Sequence, residues 1–253
     1  INRNLFISYE PNASVFHHHG LNHNNDIKRA KGVVQIIEKI ENNNENTSKK
    51  SFLNPKFINI SAIIPINKKI IPESENYHLL KKTINQIKKS KFIKDIYLLT
   101  NYNFHKKIRN VEIIKRPFNL NKKSSIQDLM KYATIEIEKN KNYPNAILFV
   151  NFDYINRPKN IPDLVINDLF LKGYDTVFPA LEEYGDYWYL NKKNIFQNTD
   201  KNMMSREYNV PIYKALYGLS CLTYSNLTRN GKFAKGKIGI IPIKDRKYSK
   251  RLR

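Results

Sequence analysis

From Phe57 onward the chain alternates short apolar runs with amphipathic stretches, and this alternation constrains the fold more than any other feature. Ile58 to Ile66 (I-N-I-S-A-I-I-P-I) predicts a strand closing at Pro65. Ser74 to Ser90 predicts a helix, with Leu80, Ile84 and Ile87 on one face and lysines on the other. Strands follow at Ile96 to Thr100 and Val111 to Ile114, then a helix over Ser124 to Lys139 that aligns Ile126, Leu129, Met130, Ala133 and Ile137. Ala146 to Val150 is apolar throughout and short enough for a strand buried on both faces. A helix near Ile161 to Lys172 and a strand at Thr176 to Ala180 continue the series, and Asn209 to Leu222 and Lys237 to Ile243 each carry a further short strand. Strand and helix alternating in this way mean βαβ units around a mostly parallel sheet. The expected class is therefore α/β, Rossmann-like, with flanking helices.

In an open α/β sheet, ligands sit outside the carboxyl ends of the strands. Asn67 to Lys69, Thr100-Asn101 and the set Asn151, Asp153, Asn156 and Arg157 fall at such ends, and Arg116-Pro117 and Ser124-Ser125 join the same rim if the sheet is doubly wound. Hydroxyls and N–H groups at a helix N-terminus suit a phosphate, and arginines suit carboxylate or phosphate bidentately. The plainer reading of 151–157 is a strand leaving the core through a polar loop. No Gly-rich phosphate loop of the Rossmann or Walker type is present, which argues against a dehydrogenase or a P-loop kinase. Glu182 to Tyr189 (E-E-Y-G-D-Y-W-Y) mixes acids with aromatics that stack on a base or sugar, or pack as a lid. The basic stretch Lys244 to Arg253 reads as a solvated or truncated end.

The 253 residues suffice for one large α/β domain or a domain plus part of another, and an apolar fraction of 41% supports a core. No run approaches the roughly 18 apolar residues of a membrane span and no signal-peptide pattern opens the chain, so the expectation is a cytoplasmic protein. The formal charge of +22 invites a nucleic-acid reading, but the lysines are scattered and no zinc-finger spacing, ribonucleoprotein signature or basic heptad helix accompanies them. A positive surface also favours anionic small substrates. The single cysteine, Cys221, lies in an apolar run and reads as a buried structural thiol.

The chain opens differently. Leu5 to Tyr9 and Ala13 to His17 predict two short strands broken at Pro11-Asn12, and a helix runs from about Asp26 to Glu41. From Asn42 the composition turns almost wholly polar, as in a linker. Two domain-like segments of sequence result, 1–41 and 57–253, joined by a linker at 42–56. His17-His18-His19 with His23 suits a divalent metal, or a polar strand end. The stretch I-S-Y-E-P-N-A-S-V-F-H-H-H-G resembles the final segment of family 2 glycosyltransferases, in which a histidine lies near metal and nucleotide diphosphate. The resemblance implies His17 or His18 in that place, and a transferase core upstream of Ile1.

The order of pieces in 57–243 resembles the acylneuraminate (CMP-sugar acid) cytidylyltransferases, whose fold is of the nucleotide-diphospho-sugar transferase type. I-I-P-I-N-K-K-I-I-P (Ile63 to Pro72) stands where that family has I-P-A-R-G-G-S-K-x-I-P, and Leu98-Leu99-Thr100-Asn101 where it has a strand ending in S-T-D. Arg116-Pro117 with Ser124-Ser125 and Asp128 match its R-P and serine pair, and Val150 to Arg157 its L-Q-P-T-S-P-L-R. Arg206, Tyr213-Lys214 and Gly218 match an arginine before a Y-R-x-N-G turn. The resemblance implies a transfer of CMP from CTP to an acidic, sialic-acid-like sugar, with Mg²⁺ as cofactor and a homodimer as assembly. By the same match Asn67, Lys69, Arg157 and Arg206 are catalytic, Arg116, Ser124, Ser125 and Asn151 bind nucleotide, and Asp153, Tyr213 and Lys214 bind the sugar acid. Two departures stand out: Asn67 replaces an arginine, and the metal-binding Asp-x-Asp expected just beyond Ile243 has no counterpart in K-D-R-K-Y-S-K-R-L-R.

Overall fold

A computed structural model describes residues 53–102, 108–120, 124–185, 187–198 and 211–252. The glycosyltransferase-like segment with His17 and His18, most of the linker, and Arg206 lie outside the described residues. In chain order the elements are β1 (Ile60–Ile66), α1 (Glu75–Ile87), β2 (Ile93–Thr100), β3 (Glu112–Lys115), α2 (Ile126–Lys139), β4 (Ala146–Phe149), α3 (Ile161–Lys172) and β5 (Thr176–Glu183). They continue with β6 (Trp188–Leu190), β7 (Phe196–Asn198), β8 (Ile212–Ala215), β9 (Cys221–Tyr224), α4 (Ser225–Arg229) and β10 (Ile238–Ile243). A single 3₁₀ turn, Arg246–Ser249, follows.

The sheet runs β10-β5-β9-β4-β1-β2-β3. β1 pairs in parallel with β2 on one side and β4 on the other, β2 with β3, and β10 with β5. The mostly parallel α/β class expected from the alternation is what forms. β9 is the exception, running antiparallel between β4 and β5. β8 adds antiparallel to the far end of β5, and β6 and β7 make a separate hairpin.

Period-2 alternation in β1 sorts its side chains between two helical layers. Ile60, Ala62, Ile64 and Ile66 join Leu79, Leu80, Ile84 and Ile87 of α1 and Val165, Ile166 and Leu169 of α3. Ile63 faces the other way, into a cluster with Leu129, Met130, Ala133 and Ile137 of α2. Both faces of β1 and β4 are covered, so β4 reads as a continuous apolar run and β1 as one broken only by the buried Ser61. α1 and α2 start where the sequence supplies a hydroxyl cap: Ser74 Oγ accepts from the Tyr77 N–H at 3.3 Å, and Ser125 Oγ from the Asp128 N–H at 3.1 Å. α3 stops at Gly173, whose φ of 61° is the left-handed conformation glycine adopts without steric cost.

Cys221 sits on β9 at 0% exposure, and burial pushes its thiol pKa up, so the structural role expected for it holds. No described helix is long and apolar enough to cross a membrane. The basic stretch from Lys244 keeps most of its side chains in solvent, as expected, but its backbone folds back along the loop after β4: the Leu252 N–H donates to the Asp153 carbonyl at 2.8 Å and the Ile155 N–H to the Lys250 carbonyl at 3.2 Å. An antiparallel bridge joins Tyr154 and Arg251. Two backbone segments that pair with no other strand satisfy each other there.

The core makes a direct demand on β4. Leu148, fully buried between the sheet and the layer formed by α1 and α3, should cost about 2–5 kcal/mol when truncated to alanine. Urea unfolding of Leu148→Ala against the parent protein measures this as a shift of midpoint at unchanged slope.

Candidate functional site

A cleft of about 380 Å³ opens at the carboxyl ends of β1 and β4. Its lining comes from segments far apart in sequence: Asn67 and Lys68 after β1, Arg116 after β3, Ser124 before α2, and Asn151 and Asp153 after β4. Phe149, Phe152, Ile126 and Leu129 supply an apolar floor, and Arg251 arrives from the folded-back C-terminal stretch. Of the residues expected at the rim from sequence, Asn67, Arg116, Ser124, Asn151 and Asp153 are brought together here.

Each of these is held by a local cause. Arg116 is 6% exposed; its N–H donates to the Thr100 carbonyl at 2.9 Å, which continues the β2–β3 pairing, and its Nε donates to the Leu120 carbonyl. Burial lowers the Arg116 pKa, with Tyr102 opposing the shift, yet a guanidinium remains charged at neutral pH. Lys68 reaches over the Phe152 ring, its Nζ 5.7 Å from the centroid, so its stem packs on the apolar floor while its charge stays at the mouth.

The loop after β4 is fastened from several sides. Arg157 donates to the carbonyls of Leu219 at 2.7 Å, Gly218 at 3.3 Å, and Asn151. Its guanidinium also lies over the Tyr154 ring at 5.5 Å. Burial pushes its pKa down to about 10, against the opposing influence of Tyr154 and Asp153, so the group stays cationic near neutrality. From α1, Lys82 donates to the Ile155 carbonyl at 3.1 Å and Gln86 to the Pro158 carbonyl at 2.8 Å. Gly218 packs tightly against the same loop: a Cβ there would stand 2.7 Å from the Tyr154 ring and 2.8 Å from the Asn151 side chain.

The remaining sequence-derived candidates fall elsewhere. Arg157, expected among the catalytic residues, is committed to backbone carbonyls and borders a second cleft of about 620 Å³ between α1 and the β4–α3 loop. Ser125 caps α2 and donates from its hydroxyl to Asp128 Oδ2 at 2.7 Å. Lys69 is exposed beside Lys68 without lining the cleft. Tyr213 and Lys214 lie exposed on β8, in register with Glu182 and Leu181 of β5. The Glu182 to Tyr189 stretch ends β5 and begins the β6–β7 hairpin, with Trp188 58% exposed and not packed as a lid.

Arg251 is the residue that sequence reasoning missed. Its Nη2 and Nε converge on Asp153 Oδ2 at 2.5 and 3.0 Å, and its guanidinium stacks over Tyr154 at 5.4 Å, beside the approach of Arg157. Nothing local marked it, since its partner lies 98 residues away. Asp153 Oδ1 is buried without a hydrogen-bond partner. A Mg²⁺ ion needs near-octahedral oxygen ligands, usually one or two carboxylates with substrate phosphates. The described residues do not fit that requirement: the cleft's carboxylate is engaged by Arg251, its other charged groups are cations, and no cluster of three His, Cys, Asp or Glu side chains exists among the described residues.

With this geometry established, the fold belongs to the nucleotide-diphospho-sugar transferase type. The chain is similar in structure to the 4-diphosphocytidyl-2C-methyl-D-erythritol synthase of Anaerococcus prevotii DSM 20548, at TM-score 0.53 and 11% identity, covering 77% of this chain and 92% of that one. A second 4-diphosphocytidyl-2C-methyl-D-erythritol synthase aligns at TM-score 0.52 and 9% identity, over 78% of this chain and 93% of that one. The bifunctional IspDF of Campylobacter jejuni aligns at TM-score 0.50 and 14% identity, over 77% of this chain and 52% of that one. No family model matches the sequence, and no curated protein matches it.

Two substitutions separate scaffold from ligand contact. Ser125→Ala should lower stability by about 1 kcal/mol, the worth of an N-cap, read as a shift in the urea midpoint. Arg157→Met should cost roughly 2–3 kcal/mol, because it strands buried carbonyls that now accept from a cation, and thermal unfolding followed by circular dichroism checks this.

Proposed function

We propose that this chain is a nucleotidyltransferase that uses CTP to activate an acidic, sialic-acid-like sugar as its CMP derivative. The single observation that carries the reading is the convergence of Asn67, Arg116, Ser124, Asn151 and Asp153 on one cleft at the carboxyl edge of a nucleotide-diphospho-sugar transferase sheet. These are positions that the motif resemblance marks for nucleotide, catalysis and sugar. Support for CTP comes also from the structural neighbours, two of which are named as diphosphocytidyl-forming enzymes.

The chemistry follows from the groups present. An oxygen of the sugar acid attacks the α-phosphorus, the bond from that phosphorus to the bridging oxygen breaks, and pyrophosphate leaves while the attacking group's proton passes to water. Charge accumulates on the non-bridging and leaving oxygens. Lys68 and Arg116 are the cations that offset it from the cleft wall, in a site whose apolar floor of Phe149, Phe152 and Leu129 lowers the local dielectric. The hydroxyl of Ser124 and the amides of Asn67 and Asn151 orient the nucleotide by hydrogen bonds. Lys69 stays a candidate for the triphosphate, and Arg206, Tyr213 and Lys214 for the sugar side, through the resemblance alone.

The separate resemblance of the first segment to family 2 glycosyltransferases leads us to propose a fused polypeptide, in which 1–41 is a glycosyltransferase segment with His17 or His18 near its nucleotide. A homodimer is the assembly that the cytidylyltransferase resemblance implies. The exposed apolar side chains of the β6–β7 hairpin, Trp188, Leu190 and Phe196, offer a surface for the second copy to cover.

Release of pyrophosphate from CTP, assayed with a panel of ulosonic acids, tests the activity. The expected outcome is release that depends on both CTP and a sugar acid, and that falls at least about a hundredfold in Arg116→Ala, as when one charge-stabilising donor is removed. CTP binding without release under every sugar acid would instead support a nucleotide-binding scaffold.

A further inference from the structure

Asp153 lines the cleft in the reading above, but its partner Arg251 has no part in that reading. The construction of the pair is specific. The backbone bridge between Tyr154 and Arg251 and the bond from the Leu252 N–H to the Asp153 carbonyl fix the C-terminal stretch along the rim. Both Arg251 contacts fall on one oxygen, Oδ2, so Oδ1 is buried unpaired, and among the described residues Nη1 makes no hydrogen bond. The Arg251 pKa is raised: burial lowers it, but the Asp153 carboxylate outweighs burial and keeps the group fully charged. The side chain is half-exposed, so a ligand reaches it without opening the fold.

We propose that Arg251 serves the cleft as its built-in counter-cation, and that the cleft binds a polyphosphate without a divalent metal. Without Arg251, Asp153 would present a bare carboxylate to an incoming phosphate and would repel it, unless a Mg²⁺ ion bridged the two anions. With Arg251 in place that carboxylate is neutralised, and Lys68 and Arg116 leave the lining with a net positive charge. The unused Nη1 donor is then available to the ligand as a charge-assisted partner. A guanidinium thus stands where the donor set would otherwise require an ion. Asp153 is a positioning residue in this arrangement: it holds Arg251 and makes no contact with the phosphate.

The proposal deepens the nucleotidyltransferase reading but is tested apart from it, by the binding of inorganic pyrophosphate to the full chain in titration calorimetry. Wild-type protein is expected to bind pyrophosphate at least as tightly in excess EDTA as in excess Mg²⁺. Arg251→Met should weaken binding in EDTA by about tenfold, the loss of one charge-assisted hydrogen bond, and Mg²⁺ should restore it. Arg251→Lys, which keeps a cation, should hold within about threefold of wild type in EDTA. Wild-type binding that requires Mg²⁺ overturns the proposal, and this comparison stands even if Arg251→Met does not fold. Arg251→Met binding as tightly as wild type in EDTA overturns it as well. If pyrophosphate binds as expected while CTP is neither bound nor cleaved, the nucleotidyltransferase reading fails and the metal-free phosphate cleft survives.

Discussion

The hydrogen bonds from Arg157 to the carbonyls of Asn151, Gly218 and Leu219 are the contact on which the cleft depends. At the carboxyl edge of β4 the chain leaves the sheet while still buried, and its carbonyls need donors. Tyr154 and Phe152 are buried beside it and Gly218 packs close against it, and a side chain supplies the donors. A guanidinium does so with several N–H groups in one plane, which a lysine ammonium would not match in geometry. The charge is tolerated because its partners are strong acceptors and because the Tyr154 ring lies beneath it.

That contact exists only because β9 is reversed. Running antiparallel to β4, it places its own beginning, and the Gly218-Leu219 turn before it, beside the end of β4. A parallel strand in the same position would bring its carboxyl end there and send the turn to the opposite edge. The close approach also requires Gly218, since any side chain would collide with Asn151 and Tyr154. One reversed strand thus links the sheet's topology to the floor of the cleft.

The electrostatics of the molecule operate on two scales. The formal charge of +22 is spread over most segments and sets a general attraction for anions. Within the cleft a few groups decide the outcome: Lys68, Arg116 and Arg251 against Asp153, above an apolar floor where charges interact more strongly than in water.

Much of this was legible from the chain. The apolar runs and helical stripes determine the α/β class, the serines before α1 and α2 mark their starts, and polar residues at the ends of β1 and β4 announce the rim, because period and capping are local properties. Asn67, Arg116, Ser124, Asn151 and Asp153 were recognisable for that reason. The direction of β9 was not legible, since an apolar run reads alike in either direction and its pairing is chosen by neighbours far off in sequence. Nor was the division of labour among the polar residues: Arg157 became scaffold and Arg251 entered the cleft because each satisfied backbone or carboxylate groups that only the folded chain buries together. What the sequence by itself determined is the list of elements and the edge at which polar groups gather. Tertiary structure alone decided which charges face the cleft, because the cost of leaving a buried polar group unpaired is known only once the burial exists.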